Sequence, residues 1–432
     1  MVRNKRETGK VFRNASWLIA CRIVQALLSF VIGTLTARYL GPSGYGIIDY
    51  AGAIVSFMVP VVQLGIRSTL VHEIISAPDC EGQIIGTSLC MSVGASFLGI
   101  AGVAAFAGIA NRGESETILV CVLYSISLLF QATEMLQYWF QAKLQSKYVA
   151  VTSLIAYGIV SAYRCFLLIT GKSVYWFALS QALDYMLISA CLFFLYRRLG
   201  GQRLSFSRTL AAELFRRSRY YILSGIMVTL FTLTDRVMIT LMIGEEENGF
   251  YSAAVTCAEI SRFVFAAIVD SARPSILEAK KADAPDYCQR ICRLFSVIFY
   301  LSLAQGLVLT AAAPLAVHIL YGDAYSAAVP TLRILGWNML FAYAGSVRNI
   351  WILAEQKQHL LWKINLAGAL LNIAANSALI PLIGIEGAAI ASVGAQAFVN
   401  VVLCFALPVL RPVGKMMLCG TDPRRLRELR NR

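Results

Sequence analysis

Asp235 and Arg236 stand side by side inside an apolar run. After a short acidic turn at Glu245–Asn248, a second apolar run carries Glu259, Arg262, Ala266, Asp270 and Arg273 at steps of three or four. That spacing puts the five on one helical face. Charges at membrane depth cost several kcal/mol each unless they face protein or water. A chain that keeps them implies a polar pathway through the bilayer, so the chemistry to look for is ion or anionic-cargo binding.

Further stripes repeat the pattern. Arg22, Gln25, Ser29, Gly33 and Thr36 form one, and Gln131, Glu134, Gln137 and Gln141 another. Tyr157, Ser161 and Arg164 precede Ser180, Gln181 and Asp184. Arg333, Trp337, Phe341, Ala344 and Arg348 form a late stripe, and Asn365, Gly368, Asn372 and Asn376 the last. Together they predict a hydrated cavity. Each has a structural alternative. Arg38, Arg273 and Arg333 lie near the ends of apolar runs, where a long cationic side chain reaches the interface. Asp235 and Arg236 could each pair with a neighbouring helix, since adjacent helical residues point about 100° apart. The asparagines serve equally as hydrogen-bonding glue between helices.

The balance of these charges bears on the cargo. Arg22, Arg67, Arg164, Arg236, Arg262, Arg333 and Arg348 outnumber Glu134, Asp184, Asp235, Glu259 and Asp270. Every deep cation is arginine, whose planar fork grips phosphate bidentately. A phosphate-bearing solute fits that interior better than a hydrophobic cation. The carboxylates are candidates for carrying a coupling proton or sodium ion, or for purely structural pairing, and no cofactor is expected. Arg22 and Arg262, one in each half, are expected to grip such a phosphate-bearing head from two sides.

These residues need elements to hold them. The chain is 58% hydrophobic and only 14% charged over 432 residues, against roughly 25% charged for a soluble domain. Apolar runs recur to the end, and a span needs about 20 residues. Hydropathy predicts an all-α polytopic membrane protein of about twelve spans. The first run is not a cleavable signal, because Arg22 and Arg38 interrupt it. Eleven scattered cysteines contain no CxxC pair, and His72, His318 and His359 are isolated. No zinc spacing, P-loop or nucleophile elbow occurs, which argues against an enzyme.

The net charge of +14 reflects topology rather than nucleic-acid binding. Lys and Arg crowd the N-terminal tail, the link 197–218, the loop beyond Arg273 and the tail 411–432. All fall on one side if the span count is even, and the positive-inside rule makes that side cytoplasmic, with both termini. Attraction to anionic membrane lipids follows. The link divides the chain into lobes at 1–196 and 219–410. Residues 203–217 are expected to form a separate basic amphipathic helix through Leu204, Phe206, Leu210, Leu214 and Phe215. The turns Leu40–Gly46 and Ile243–Ala254 are alike, as in duplicated transporters with a central site.

Four stretches carry a family resemblance. They are SWLIACRIVQALLSFVIGTLTARYLGPSGYGI, LTDRVMITLMIGEEENGFYSAA, LYGDAYSAAVPTLRIL and LLNIAANSALIPLIGIEGAAIAS. Together they resemble polysaccharide-repeat flippases of the multidrug/oligosaccharidyl-lipid/polysaccharide exporter superfamily. The resemblance implies two six-helix lobes around a central lumen in the bacterial cytoplasmic membrane. It implies an undecaprenyl-pyrophosphate-linked oligosaccharide as cargo, moved from the inner to the outer leaflet by alternating access, with a polymerase and assembly proteins acting next. An ion-coupled drug or metabolite antiporter, or a lipid II flippase, is the alternative on this scaffold. Lipid II flippases typically carry two additional helices, and no such pair is found.

Overall fold

In lipid every backbone N–H and C=O must be satisfied within the chain, so an apolar sequence of this kind folds as helices. A computed structural model of the protein describes the backbone of residues 2–422. Side chains are described from Cys21 onward, save those of Arg22, Arg67, Ser68 and Thr69. The last part of the expected basic tail, 423–432, lies outside the described residues. The α-helices are α1 (Val2–Val62), α2 (Arg67–Ser76), α3 (Glu81–Ala110), α4 (Ser115–Ser125), α5 (Ser127–Gln131), α6 (Met135–Ala142), α7 (Ser146–Ile169) and α8 (Val174–Arg198). They continue with α9 (Arg208–Ile243), α10 (Glu245–Ala258), α11 (Arg262–Lys281), α12 (Tyr287–Tyr321), α13 (Ala328–Leu335), α14 (Asn338–Ala354), α15 (Leu361–Ala397), α16 (Leu403–Ala406) and α17 (Arg411–Thr421).

Among the described residues, eight helical segments are long and apolar enough to cross a membrane, or nine with α10 and α11 taken as one bent span. Two of them, α1 and α15, each join two helices across a kink. With these two helices divided at their kinks, the described residues supply ten such segments, or eleven with the bent pair. The protein is an all-α polytopic membrane protein. Several spans break where the polar residues sit. A 3₁₀ turn at Ala132–Glu134 separates α5 from α6, and α10 and α11 meet at a 46° bend.

The chain forms two compact units. Unit 1 comprises Met1–Leu40 and Ile47–Thr229, and unit 2 comprises Gly41–Gly46 and Leu230–Arg432. The division falls inside α9. In unit 1, Leu70, Ile74, Ile85, Leu136, Trp139 and Tyr196 are buried in one cluster. The Trp139 ring stands edge-on to Tyr196 at 5.0 Å. In unit 2, α11, α12 and α14 share a core, with Phe265 stacked on Tyr343 at 4.6 Å. There α17 lies along α12. The Ser296 hydroxyl donates to the Gly420 carbonyl at 2.6 Å, and the Tyr300 hydroxyl donates to that of Thr421 at 2.9 Å.

The link corrects one expectation. Residues 203–217 are not a separate amphipathic helix. Residues 201–207 have no regular structure, and α9 starts at Arg208 and runs unbroken to Ile243. The irregular part finds its hydrogen bonds on the start of α3. The Gly82 N–H donates to Gln202 Oε1 at 3.0 Å, and the Ser207 N–H donates to Thr87 Oγ1 at 3.0 Å. Gln202 Nε2 also donates to the Pro78 carbonyl at 2.9 Å. Helix formation through this stretch would forfeit these bonds. Leu204 and Leu210 pack against the unit 1 core, whereas Phe206 and Phe215 are exposed.

The strap can lie this close only because α3 offers glycine. A Cβ on Gly86 would stand 2.5 Å from the Ser205 carbonyl oxygen and 2.7 Å from its nitrogen. Both obstacles are backbone and cannot rotate away. Gly86→Val is therefore expected to destabilise unit 1 by roughly 1–3 kcal/mol, read as earlier thermal unfolding in detergent. Unchanged unfolding would mean that the strap is free to lift from α3.

The two similar turns also share a backbone conformation. Gly41 has φ 70°, ψ 176° and Gly244 has φ 110°, ψ 170°, a region open essentially to glycine alone. Five residues after each comes a second glycine, Gly46 and Gly249. A Cβ on Gly46 would collide with the Glu245 carbonyl, and one on Gly249 with that of Pro42. Asn248 Nδ2 donates to the Gly46 carbonyl at 2.9 Å. The turns thus pack reciprocally within unit 2, each on the residue following the other's first glycine.

Candidate functional site

The most developed polar cluster is built around Asp235 in unit 2. Asp235 lies on α9 and is 5% exposed. Asn376 Nδ2 donates to its Oδ1 at 2.6 Å. The Tyr251 hydroxyl on α10 donates to its Oδ2 at 2.8 Å, and the Ser392 hydroxyl closely contacts the same oxygen. Asn376 Nδ2 also reaches Asn372 Oδ1 at 3.1 Å. Asn372 and Asn376 lie in the first half of α15 and Ser392 in the second. They converge because α15 is kinked at Ile383 (φ −138°) and Gly384 (φ 63°), just after Pro381. Pro381 withholds a backbone donor, and Gly384 adopts a backbone that favours glycine.

The chemistry follows from what surrounds the carboxylate. Neutral hydroxyl and amide groups make the hydrogen bonds found on it. Asn372 Nδ2 and Asn376 Oδ1 are buried without hydrogen-bond partners among the described residues. Buried polar atoms left unpaired are costly and call for an explanation such as a bound water or ion. One carboxylate ringed by neutral oxygen atoms suits a single positive charge, a proton or a hard monovalent cation. Arg236, next in sequence, is half-buried, and its carbonyl accepts the Thr240 hydroxyl at 3.0 Å.

The stripe on the following span is arranged differently from a continuous helix. Glu259 follows α10 in the bend, and Arg262 begins α11. Arg262 Nη1 donates to Glu259 Oε2 at 3.0 Å, with the side chains 65% and 38% exposed. The Tyr343 hydroxyl donates to the Arg262 carbonyl at 2.8 Å, tying the bend to α14. Asp270 and Arg273 form a second exposed pair at 3.2 Å. Phe265, Val269, Ile276 and Ala279 occupy the opposite, buried face of α11. The charges therefore share the open side of this helix.

Unit 1 holds two smaller clusters. Arg164 on α7 donates from Nε to Ser180 Oγ at 2.8 Å and from Nη2 to Gln181 Oε1 at 3.1 Å. Asp184, one turn beyond Ser180, is buried, and its Oδ1 lacks a hydrogen-bond partner among the described residues. Glu134, in the 3₁₀ break, accepts Gln63 Nε2 at 2.8 Å. Gln63 itself lies at a break, next to Leu64 with φ 53°. The side chain of Arg22 lies outside the described residues.

Arg348 and Asn365 are not joined to the Asp235 cluster. Arg348 is 2% exposed, inside unit 2. Its Nη1 donates to the Val399 carbonyl at 2.7 Å and its Nη2 to Asn349 Oδ1 at 3.0 Å. Val399 lies in a π-helical turn, Phe398–Val402, where the regular ladder is interrupted. Asn365 is half-buried on α15. Tyr251, Ser392 and Gln63 were absent from the sequence-derived site residues. Tyr251 and Ser392 do fall inside the quoted stretches GFYSAA and GAAIAS.

A family model described as polysaccharide biosynthesis protein matches residues 11–280. Comparison with curated proteins gives no match. Among solved structures, the fold is similar to one described as the lipid II flippase MurJ in an inward closed conformation. That pair has TM-score 0.75 and 12% identity over 93% of this chain and 90% of that one. It is also similar to an inward-facing multidrug resistance MATE family transporter of the MOP superfamily, at TM-score 0.71 and 13% identity, with 94% and 96% covered. A MOP superfamily transporter from Pyrococcus furiosus matches at TM-score 0.59 and 13% identity, with 97% and 95% covered. At such identities the likeness concerns the fold.

Proposed function

Because the chain belongs to the polysaccharide biosynthesis protein family, we propose that it is a flippase for lipid-linked oligosaccharides. The cargo is a repeat unit on undecaprenyl pyrophosphate, carried from the inner to the outer leaflet of a bacterial cytoplasmic membrane by alternating access. The observation that carries this reading is the presence of Arg164, Arg236 and Arg262 within spanning segments of such a chain, with Arg262 on the open side of α11. Arginine offers a pyrophosphate bidentate, permanently charged donors. The glycan passes through the polar path while the polyprenyl tail remains in lipid. No bond is made or broken. A polymerase and its assembly proteins then consume the product on the far leaflet.

The Asp235 cluster is the proposed coupling site. Asp235, Asn372, Asn376, Tyr251 and Ser392 would hold a proton or a sodium ion, which supplies the positive charge that the buried carboxylate otherwise lacks among its hydrogen-bonding groups. Glu134 and Asp184 are secondary candidates in unit 1.

The decisive experiment uses vesicles containing the purified protein and a fluorescent lipid-linked oligosaccharide. An impermeant quencher reaches about half the probe in empty vesicles. It should reach nearly all of it where the protein flips. Failure to flip, combined with exchange of a cationic dye for protons or sodium, would assign the chain to the antiporters instead.

Both termini are proposed to be cytoplasmic, from the one-sided Lys/Arg distribution. On a background without native cysteines, a cysteine at 246 should react with an impermeant reagent added outside intact cells. One at 425 should react only after the cells are opened. The reverse pattern would invert the topology.

A further inference from the structure

Beyond the transport site, we propose that a groove between α11 and α12 in unit 2 binds the phosphate of a lipid headgroup. The groove encloses about 430 Å³, within the range of about 300–1,000 Å³ common for small-molecule sites. Its lining changes character along α12. Gln289, Arg290 and Arg293 come first, then Leu294 and Val297, with Ile276 supplied by α11. The polar residues lie near the start of α12 and the apolar ones one turn into it, toward the body of a 35-residue apolar helix. This order matches an anionic headgroup continuing into an acyl chain.

The cations are prepared for an anion. Arg290 is held by three bonds: Nε to Asp286 Oδ2 at 2.7 Å, and Nη1 to Ser275 Oγ at 2.7 Å and to its carbonyl at 3.1 Å. Asp286 thereby offsets the charge of Arg290 and fixes its guanidinium. Arg293, one helical step further, is exposed and lines the same groove. It has no carboxylate partner among the described residues. Asp286, Arg290 and Arg293 together leave the groove one positive charge in excess. Basic residues near an anionic membrane surface each contribute about 1 kcal/mol to attraction, roughly fivefold in binding. The shared ligand chemistry is a lipid phosphate, and its source is either bulk phospholipid or the polyprenyl substrate itself.

The test measures short-chain phosphatidylglycerol binding to the full chain in neutral detergent, for example by counting adducts in native mass spectrometry. Arg293→Ala should weaken binding about fivefold, and Gln289→Glu at least as much. Both residues are exposed, so thermal unfolding should be unchanged. Displacement of phosphatidylglycerol by polyprenyl phosphate supports the groove and assigns it to the substrate lipid. Retention supports it and assigns it to bulk phospholipid. Equal binding by the wild type and both variants would overturn the proposal, as would displacement by inorganic phosphate, which lacks a chain for the apolar floor. The readout is lipid binding, so the result is independent of whether the protein flips its cargo.

Discussion

Asp235→Asn is expected to leave a folded protein in which transport no longer responds to an ion gradient, with gradient-driven flux falling at least tenfold. Asparagine keeps the shape of the side chain and an acceptor oxygen for Asn376, Tyr251 or Ser392. It removes the one negative charge that would hold a proton or sodium ion. Asp235→Ala is expected to do something different. It deprives the Tyr251 and Ser392 hydroxyls and the Asn376 amide of their common acceptor. Unsatisfied buried groups cost about 1–3 kcal/mol each, so this variant should unfold well before the wild type. Vesicle assays with imposed pH and sodium gradients, beside thermal unfolding of each variant, separate the two effects. Gradient-dependent flux retained in Asp235→Asn would mean that the cluster is structural.

Arg262→Ala should reduce flipping tenfold to a hundredfold with little change in stability. A charge-assisted hydrogen bond contributes roughly 1.5–3 kcal/mol, which gives that range at 1.4 kcal/mol per decade. The structure makes the comparison clean. The partner of Arg262, Glu259, is itself 38% exposed, and pairs of that kind contribute about 0–1 kcal/mol to folding. Lysine at 262 should retain part of the activity, since it supplies charge without the bidentate fork. Flipping at the wild-type rate by a well-expressed alanine variant would remove Arg262 from the binding site. A loss of flipping matched by loss of folded protein would assign it to structure.

How far the sequence reached can be seen in particular residues. The helical class and the approximate spans followed from composition, because lipid leaves the backbone no alternative to internal hydrogen bonding. The four quoted stretches together carried the family resemblance, and Asp235 stood out because an acid within an apolar run is costly. Spacing could not reveal which groups meet Asp235. Tyr251, Asn376 and Ser392 arrive from three helical segments, and only the kink at Ile383 and Gly384 brings the last two together.

The Glu259–Arg273 stripe shows the same limit. Its periodicity was legible, but the 46° bend after α10 was not, since nothing in the local sequence states that Tyr343 will hold the Arg262 carbonyl. In the link, apolar periodicity suggested a helix over 203–217. Hydrogen bonds of Gln202 to Gly82 and Pro78, and of Ser207 to Thr87, keep its first part out of a helix. Composition and periodicity report the solvent a segment meets and the conformation it favours alone, and those determined the spans. Helix breaks, close backbone approaches and the partners of buried polar groups depend on chain segments more than a hundred residues away, so only tertiary packing could decide them.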